Sequence, residues 1–242
     1  MKQSLTSGNI YDVFDTQSQE YRLHRLPEAG RRIQFDDGRE FVFVNTAVNV
    51  AAGQLVGAPN AIAELEGKFT VASVGDETIT ITIVGATANL YAGGYIVITE
   101  SSGNKSTYYI MSNTASDGSN NVILRIAGRV SAAIAAADDA IIVPSRYNSV
   151  IVNTATTDPV GVALVASTAA TDGYTNYLWV QTKGVGGVVV ATAAGLTKGV
   201  GAMAAAAGSV AIANGTLPFI GTMLAASAVS NSDVAPIMLR LP

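Results

Sequence analysis

The sequence predicts an all-β protein, built of antiparallel β-sandwich or barrel units with an extended N-terminal arm and very little helix. Three observations predict it. Residues 77–84 (ETITITIV) alternate Thr with Ile, a period of two that places the isoleucines on one face of a strand. Short apolar or β-branched runs recur along the chain, parted by Gly, Asp, Asn and Ser turn chemistry. Only one short segment reads as helix.

Residues 1–35 lack an apolar alternation of strand length and are expected to form the extended arm. Tyr11, Val13, Phe14 and Tyr21 are its anchors, either onto another molecule or onto the chain's own core. A β-rich domain is expected over 36–145, with strands at 69–74, 77–84, 95–99, 107–111 and 122–126. Gly75-Asp76, Gly93-Gly94, Ser102-Gly103-Asn104 and Asp117-Gly118-Ser119-Asn120 supply the turns between them. Such closely spaced strands suggest a sandwich or barrel. Residues 131–139 (SAAIAAADD) are expected to make a helical turn or two, since Ala is the strongest helix former, although Asp138 and Asp139 oppose the helix dipole at that end. Residues 144–147 mark a boundary before a second, low-charge β domain over 146–242. Its strands are expected at 176–181, 187–191, 209–213, 219–224 and 237–241.

Charge is distributed unevenly. Seven acids and six bases fall in residues 1–40, whereas the last 92 residues hold only Asp158, Asp172, Lys183, Lys198, Asp233 and Arg240. Charged residues make up 13% of the chain, against about a quarter in a typical soluble domain. Either the surface is mostly uncharged polar or much of it is covered by other protein, and the second is expected, as part of an assembly. A net charge of −4 argues against nucleic acid, which needs a basic face. The absence of Cys removes disulfides and thiolate metal sites and suits folding in a reducing cytosol. Residues 1–10 are polar and show no signal-peptide core. The weakly polar runs 185–196 and 199–213 are each too short for a membrane-spanning helix, so no membrane partner is expected.

Catalytic constellations are missing. His24 is the single histidine and lies in the charged arm, so a Cys-His pair is impossible, the several His or Cys ligands that zinc sites usually need are lacking, and a Ser-His-Asp triad would depend on His24. Three of the four carboxylate pairs, Asp36/Asp37, Asp76/Glu77 and Asp138/Asp139, are adjacent residues that point apart on a strand or sit in a turn; Glu64/Glu66 could share a strand face, but nothing beside them marks a cleft. The chain is not expected to be an enzyme, and no metal or cofactor is expected. Thr182-Lys183-Gly184-Val185-Gly186-Gly187 recurs as Thr197-Lys198-Gly199-Val200-Gly201-Ala202. Lys precedes the glycines, the wrong order for a phosphate loop, so the echo reads as two matching turns leading into strands. Tyr177 and Trp179 share one side of a strand, where a core role is favoured over a ligand platform because a buried Trp would supply much of a core so poor in large side chains.

Several phrases carry a resemblance. Asp37-Gly38-Arg39-Glu40-Phe41-Val42-Phe43-Val44, followed by Ala51-Ala52-Gly53-Gln54-Leu55-Val56, resembles the opening of head decoration (cement) proteins of tailed bacteriophages. Ala86-Thr87-Ala88-Asn89-Leu90-Tyr91-Ala92-Gly93-Gly94-Tyr95, Tyr108-Tyr109-Ile110-Met111-Ser112-Asn113 and Tyr177-Leu178-Trp179-Val180-Gln181-Thr182-Lys183-Gly184 are similar to the same family. So is the ending, where Ile220-Gly221 precedes an Ala-rich stretch and a last strand. The phrases fall in order from about residue 30 onward, and none is a catalytic signature.

The resemblance implies a structural virion protein, made in the host bacterial cytoplasm and bound to the outer capsid surface, where it ties major capsid protein subunits together. It also implies self-association, as a homotrimer. The arm would reach the neighbouring subunit, and Tyr11, Phe14, Tyr21, Arg22, Arg25, Arg31 and Arg32 are its expected capsid or subunit contacts. The alternative is a receptor- or glycan-binding β module of a phage tail fibre or appendage. That alternative needs Tyr177, Trp179 or Tyr91 to be exposed.

Overall fold

In the computed structural model the chain is almost entirely antiparallel β, as the sequence led us to expect. The structure describes residues 3–5, 29–46, 48–61, 65, 68–100, 105–167, 176–191, 197–213, 215, 217–225 and 233–242. They fall into two compact units, one inserted in the other. Unit 1 is Met1–Ala58 with Ser149–Pro242, and unit 2 is Pro59–Asn148. The division differs from the expected 1–35, 36–145 and 146–242. Residues 36–58 join unit 1 because their strand finds its partner some 130 positions downstream, a pairing that local pattern does not reveal.

Unit 1 begins with β1 (Gln3–Leu5), which runs parallel to β2 (Arg32–Phe35), so the expected arm ends in a strand of the sheet. Only Ile33 and Phe35 alternate there, too few to read as a strand in advance. A tight turn then leads to β3 (Glu40–Thr46): Gly38 N donates to Phe35 O, and Asp37 Oδ1 accepts from Arg39 N. β4 (Leu55–Gly57) precedes the insertion.

Unit 2 contributes β5 (Thr78–Thr82), β6 (Tyr95–Glu100), β7 (Thr107–Asn113), β8 (Asn121–Ile126) and β9 (Asp139–Val143), in the antiparallel order β5-β8-β7-β6-β9. Ile79 and Ile81 point inward from β5, as the Thr/Ile alternation predicts. They meet Ile96, Ile110, Leu124 and Ile142 in one core. Each such side chain, fully buried, contributes about 1.5–3 kcal/mol. The backbone before β6 is fastened by Asn113, whose Oδ1 accepts from Tyr91 N at 2.8 Å while its Nδ2 donates to Thr87 O and Thr114 O. Asp117 builds the β7–β8 turn by accepting from Ser119 N and Asn121 N, both at 2.8 Å.

Two expectations fail in unit 2. Residues 131–139 form no helix. The Ile134 side chain is fully buried, and its backbone exchanges both hydrogen bonds with Ala72, while Asp138 Oδ2 caps a turn at Ala135 N. Burial of one isoleucine outweighs the small propensity of alanines. Residues 69–74 make isolated bridges at Phe69 and Ala72 rather than a strand.

Unit 1 resumes with β10 (Ile151–Val152), β11 (Pro159–Ala163), β12 (Asn176–Val189), β13 (Gly201–Ala204), β14 (Val210–Ile212), β15 (Phe219–Met223) and β16 (Val234–Arg240). The main path of its sheet is β1-β2-β3-β12-β16-β15-β13-β14, and β11 joins β12 to β4. The expected strands 176–181 and 187–191 are one long strand, β12. It pairs first with β3, then with β16. One face of β2, β3 and β12 carries an aromatic cluster. Phe43 stacks on Tyr177 at 5.4 Å and meets Trp179 edge-on at 5.1 Å, and Phe35 meets Phe41 edge-on at 5.3 Å.

A bulge interrupts β12. Gln181 opposes Phe41 and Lys183 opposes Glu40, leaving Thr182 as the extra residue. Its groups are nevertheless bonded: Thr182 Oγ1 donates to Glu40 O, and Thr182 O accepts from Leu241 N. The next residue, Gly184, has φ +84° and lies so close to Arg39 that a Cβ would sit 3.1 Å from its Cα. The first copy of the Thr-Lys-Gly-Val-Gly echo is therefore a bulge inside a strand, not the turn expected. The second is a turn entering β13. What the copies share is a left-handed glycine after the lysine, Gly184 and Gly199.

Candidate functional site

Of the seven predicted contact residues, Tyr11, Phe14, Tyr21, Arg22 and Arg25 lie outside the described residues. Arg31 is exposed ahead of β2, and its carbonyl accepts from Phe43 N. Arg32 is engaged within the chain. Its Nη1 donates to Glu40 Oε1 at 2.6 Å and its Nη2 to Pro242 O at 3.1 Å.

Glu40 is the most deeply placed carboxylate of this group, with a side chain 2% exposed. Lys183 Nζ donates to its second oxygen at 3.0 Å. The bulge makes this contact. Without the extra Thr182, the strand's alternation would turn Lys183 to the opposite face. Burial alone would raise the Glu40 pKa, but the hydrogen bonds and charges of Arg32 and Lys183 outweigh it and hold the carboxyl below its ordinary value. Both oxygens are occupied and the group stays ionised, so it fastens β2, β3 and β12 together and is poorly suited to proton transfer.

The remaining carboxylates have local tasks. Asp37 pairs with Arg39 at 2.6 Å, Asp76 accepts from Ser73 N, and Asp117 and Asp138 cap turns. Glu64 and Glu66 lie outside the described residues. Among the described residues no three His, Asp or Glu side chains come together. No helix among them is long and apolar enough to cross a membrane.

The aromatic side chains divide sharply. Trp179 and Tyr91 are each 2% exposed, and burial pushes the Tyr91 phenol above its usual pKa. Tyr177 is half-buried against Phe43. Burial withdraws Trp179 and Tyr91 from any stacking platform, and Tyr177 has one ring face covered by Phe43. Tyr95 and Tyr109, by contrast, are 47% and 42% exposed. They are directly paired across β6 and β7, with rings 5.4 Å apart and inclined at 71°.

Tyr95 and Tyr109 belong to a larger surface, the outer face of the unit 2 sheet. The register places Val143, Tyr95 and Tyr109 in one row across β9, β6 and β7, with Ile141, Val97 and Thr107 in the next. Met111 and the β8 residue Ile123 extend it, and Thr78, Thr80 and Thr82 close the side at β5. Arg125 and Asp139 are the charged side chains described on these outward positions. With strands about 4.8 Å apart and about 3.3 Å per residue, the face covers roughly 400 Å². That is about the size of the largest apolar patch on a typical monomer, which is often functional. The strand positions were legible beforehand, but the face was not. Tyr95-Ile96-Val97-Ile98 is apolar at both parities, so alternation does not say which side is core.

No protein-family model, curated protein or solved structure matches this chain.

Proposed function

We propose that this chain is a structural virion protein, a capsid decoration or cement protein that docks on the major capsid protein through the outer face of unit 2. The observation that carries the reading is that face: apolar, threonine-rich, and almost without charge. The cores of protein interfaces are depleted in charge and enriched in Tyr and Met. The sequence phrases similar to phage decoration proteins support the same reading. A capsid presents identical sites many times, so a modest contact repeated across the shell becomes durable. The protein would sit on the outer capsid surface and stabilise contacts between major capsid subunits, with no catalytic step.

Quantitative mass spectrometry of purified virions tests this. The expected copy number is commensurate with that of the shell subunit. Val97→Lys with Tyr109→Lys, on the proposed docking face, should strip the protein from particles without unfolding it. Absence of the wild-type chain from virions refutes the function. Retention of the double variant refutes the surface assigned to it.

A further inference from the structure

Arg125 is an isolated charge inside the outer face of unit 2. The register of β8 sets it opposite Thr78 of β5 on one side and Ser112 of β7 on the other. Its exposed neighbours are Ile123, two positions along the same strand, and Met111, the extra residue of the β7 bulge. Ala127 N donates to Tyr109 O, which brings the Tyr95–Tyr109 pair within one outward position of Arg125. The guanidinium is exposed and makes no hydrogen bond or ion pair among the described residues. Glu77, the residue beside Thr78, pairs with Arg129 instead, at 3.4 Å. Asp139 is three strands away, about 14 Å across the sheet alone.

This isolation dictates what a partner must carry. An apolar surface laid over Arg125 would strip water from the guanidinium and leave it with nothing in return, a penalty that apolar contacts around it do not cancel. A carboxylate removes the penalty, because the planar fork of arginine donates to both its oxygens at once. An arginine set among Tyr and Met side chains, with apolar surface around it to exclude water, is also the composition of an interface hot spot.

We propose that Arg125 is the anchor of the docking face, and that it selects a partner surface bearing one Asp or Glu side chain ringed by apolar residues. The inference rests on the docking function proposed for this face and adds the chemistry of the matching site on the major capsid protein. The threonines, Tyr109, Met111 and Ile123 supply area, and Arg125 supplies orientation and selectivity. A neutral or basic patch of the same shape is rejected, since it would leave the guanidinium buried without a partner or facing a like charge.

Quantitative mass spectrometry of virions assembled with full-length variants in place of the wild type tests the anchor. Arg125→Glu sets a like charge against the partner's carboxylate and should lower the copy number by at least about tenfold. Arg125→Lys keeps the charge without the fork and should fall between that variant and the wild type. Both should melt like the wild type, because the side chain has no contact to lose. Arg129→Glu changes the net charge by the same amount beyond the end of β8 and should stay at the wild-type level. With the wild type present on particles, retention of Arg125→Glu at the same copy number overturns the anchor and leaves the decoration function standing. An equal loss of Arg129→Glu also overturns it, because net charge would then be responsible. Absence of the wild type from virions removes the function on which the anchor rests.

Discussion

Replacing Glu40 with Gln removes a charge from the junction of β2, β3 and β12 while keeping the shape. The cost follows from the surroundings of each partner. The Arg32 bond is short, 2.6 Å, and joins a guanidinium 25% exposed to a carboxylate 2% exposed. Hydrogen bonds to charged groups in such sites contribute about 1.5–3 kcal/mol. Lys183 is 45% exposed, so water screens most of its share, leaving about 0.5 kcal/mol. Together these give roughly 2–3 kcal/mol at pH 7, or about 5–10 °C in the melting of a unit this size. The sign of the pH dependence is fixed by the lowered folded-state pKa of Glu40. The stabilisation is fully present above the unfolded-state value of about 4.3 and disappears as pH falls through the folded one. Urea unfolding followed by Trp179 fluorescence reports on unit 1 alone, because Trp179 is the one tryptophan in the chain. The gap between wild type and Glu40→Gln should be wide at pH 7 and narrower at pH 3, below the unfolded-state value of about 4.3. An equal gap at both pH values would mean that packing, not charge, is responsible; a gap below about 0.5 kcal/mol at pH 7 would remove the junction from the account altogether.

Other expectations are more local. Gly184→Ala forces a Cβ against Arg39 in left-handed backbone and should cost about 2–3 kcal/mol in chemical unfolding, whereas Gly38→Ala, with a similar φ and open space around it, should cost about 1 kcal/mol. Equal losses would show that the Arg39 contact is irrelevant. Asn113→Ala leaves Tyr91 N and two carbonyls without their partner and should destabilise unit 2 by about 2–4 kcal/mol, with hydrogen exchange rising first at residues 87–94. Protection there unchanged from the wild type would contradict the assigned role. Trp179, buried against Phe43, should emit in the blue and resist acrylamide; emission typical of an exposed indole would place the aromatic cluster at the surface.

What could be read from the sequence follows the range of the interactions involved. The strand at Thr78–Thr82 was legible because Ile79 and Ile81 alternate with threonines, a pattern contained in five residues. The turn at Asp117 was legible for the same reason, since its carboxylate bonds only to residues within four positions. The pairing of β3 with β12 was not, because no local feature of Phe41-Val42-Phe43-Val44 names Trp179 and its neighbours as partners. Residues 131–139 misled because alanine propensity is local whereas the Ile134–Ala72 pairing is not. The Glu40 junction was hidden twice over: its lysine is distant in sequence, and the bulge that aims it cannot be inferred from alternation. The outer face of unit 2 did leave a signal. Strands apolar at both parities in a sheet with one core face imply a second apolar surface on its outer side.

The insertion of unit 2 fixes an order of events on the ribosome. Residues 59–148 contain all the strands of their own sheet and leave the ribosome as one stretch. β3 emerges earlier, yet its partner begins only at Asn176, opposite Thr46. At synthesis rates of about 5–20 residues per second, that strand waits roughly 6–26 s. Unit 2 is thus free to fold first, while Phe41 and Phe43 remain without Trp179 to cover them. The nascent chain passes through an interval in which a strand bearing two phenylalanines is a target for chaperones, and slowing translation between the two would prolong it.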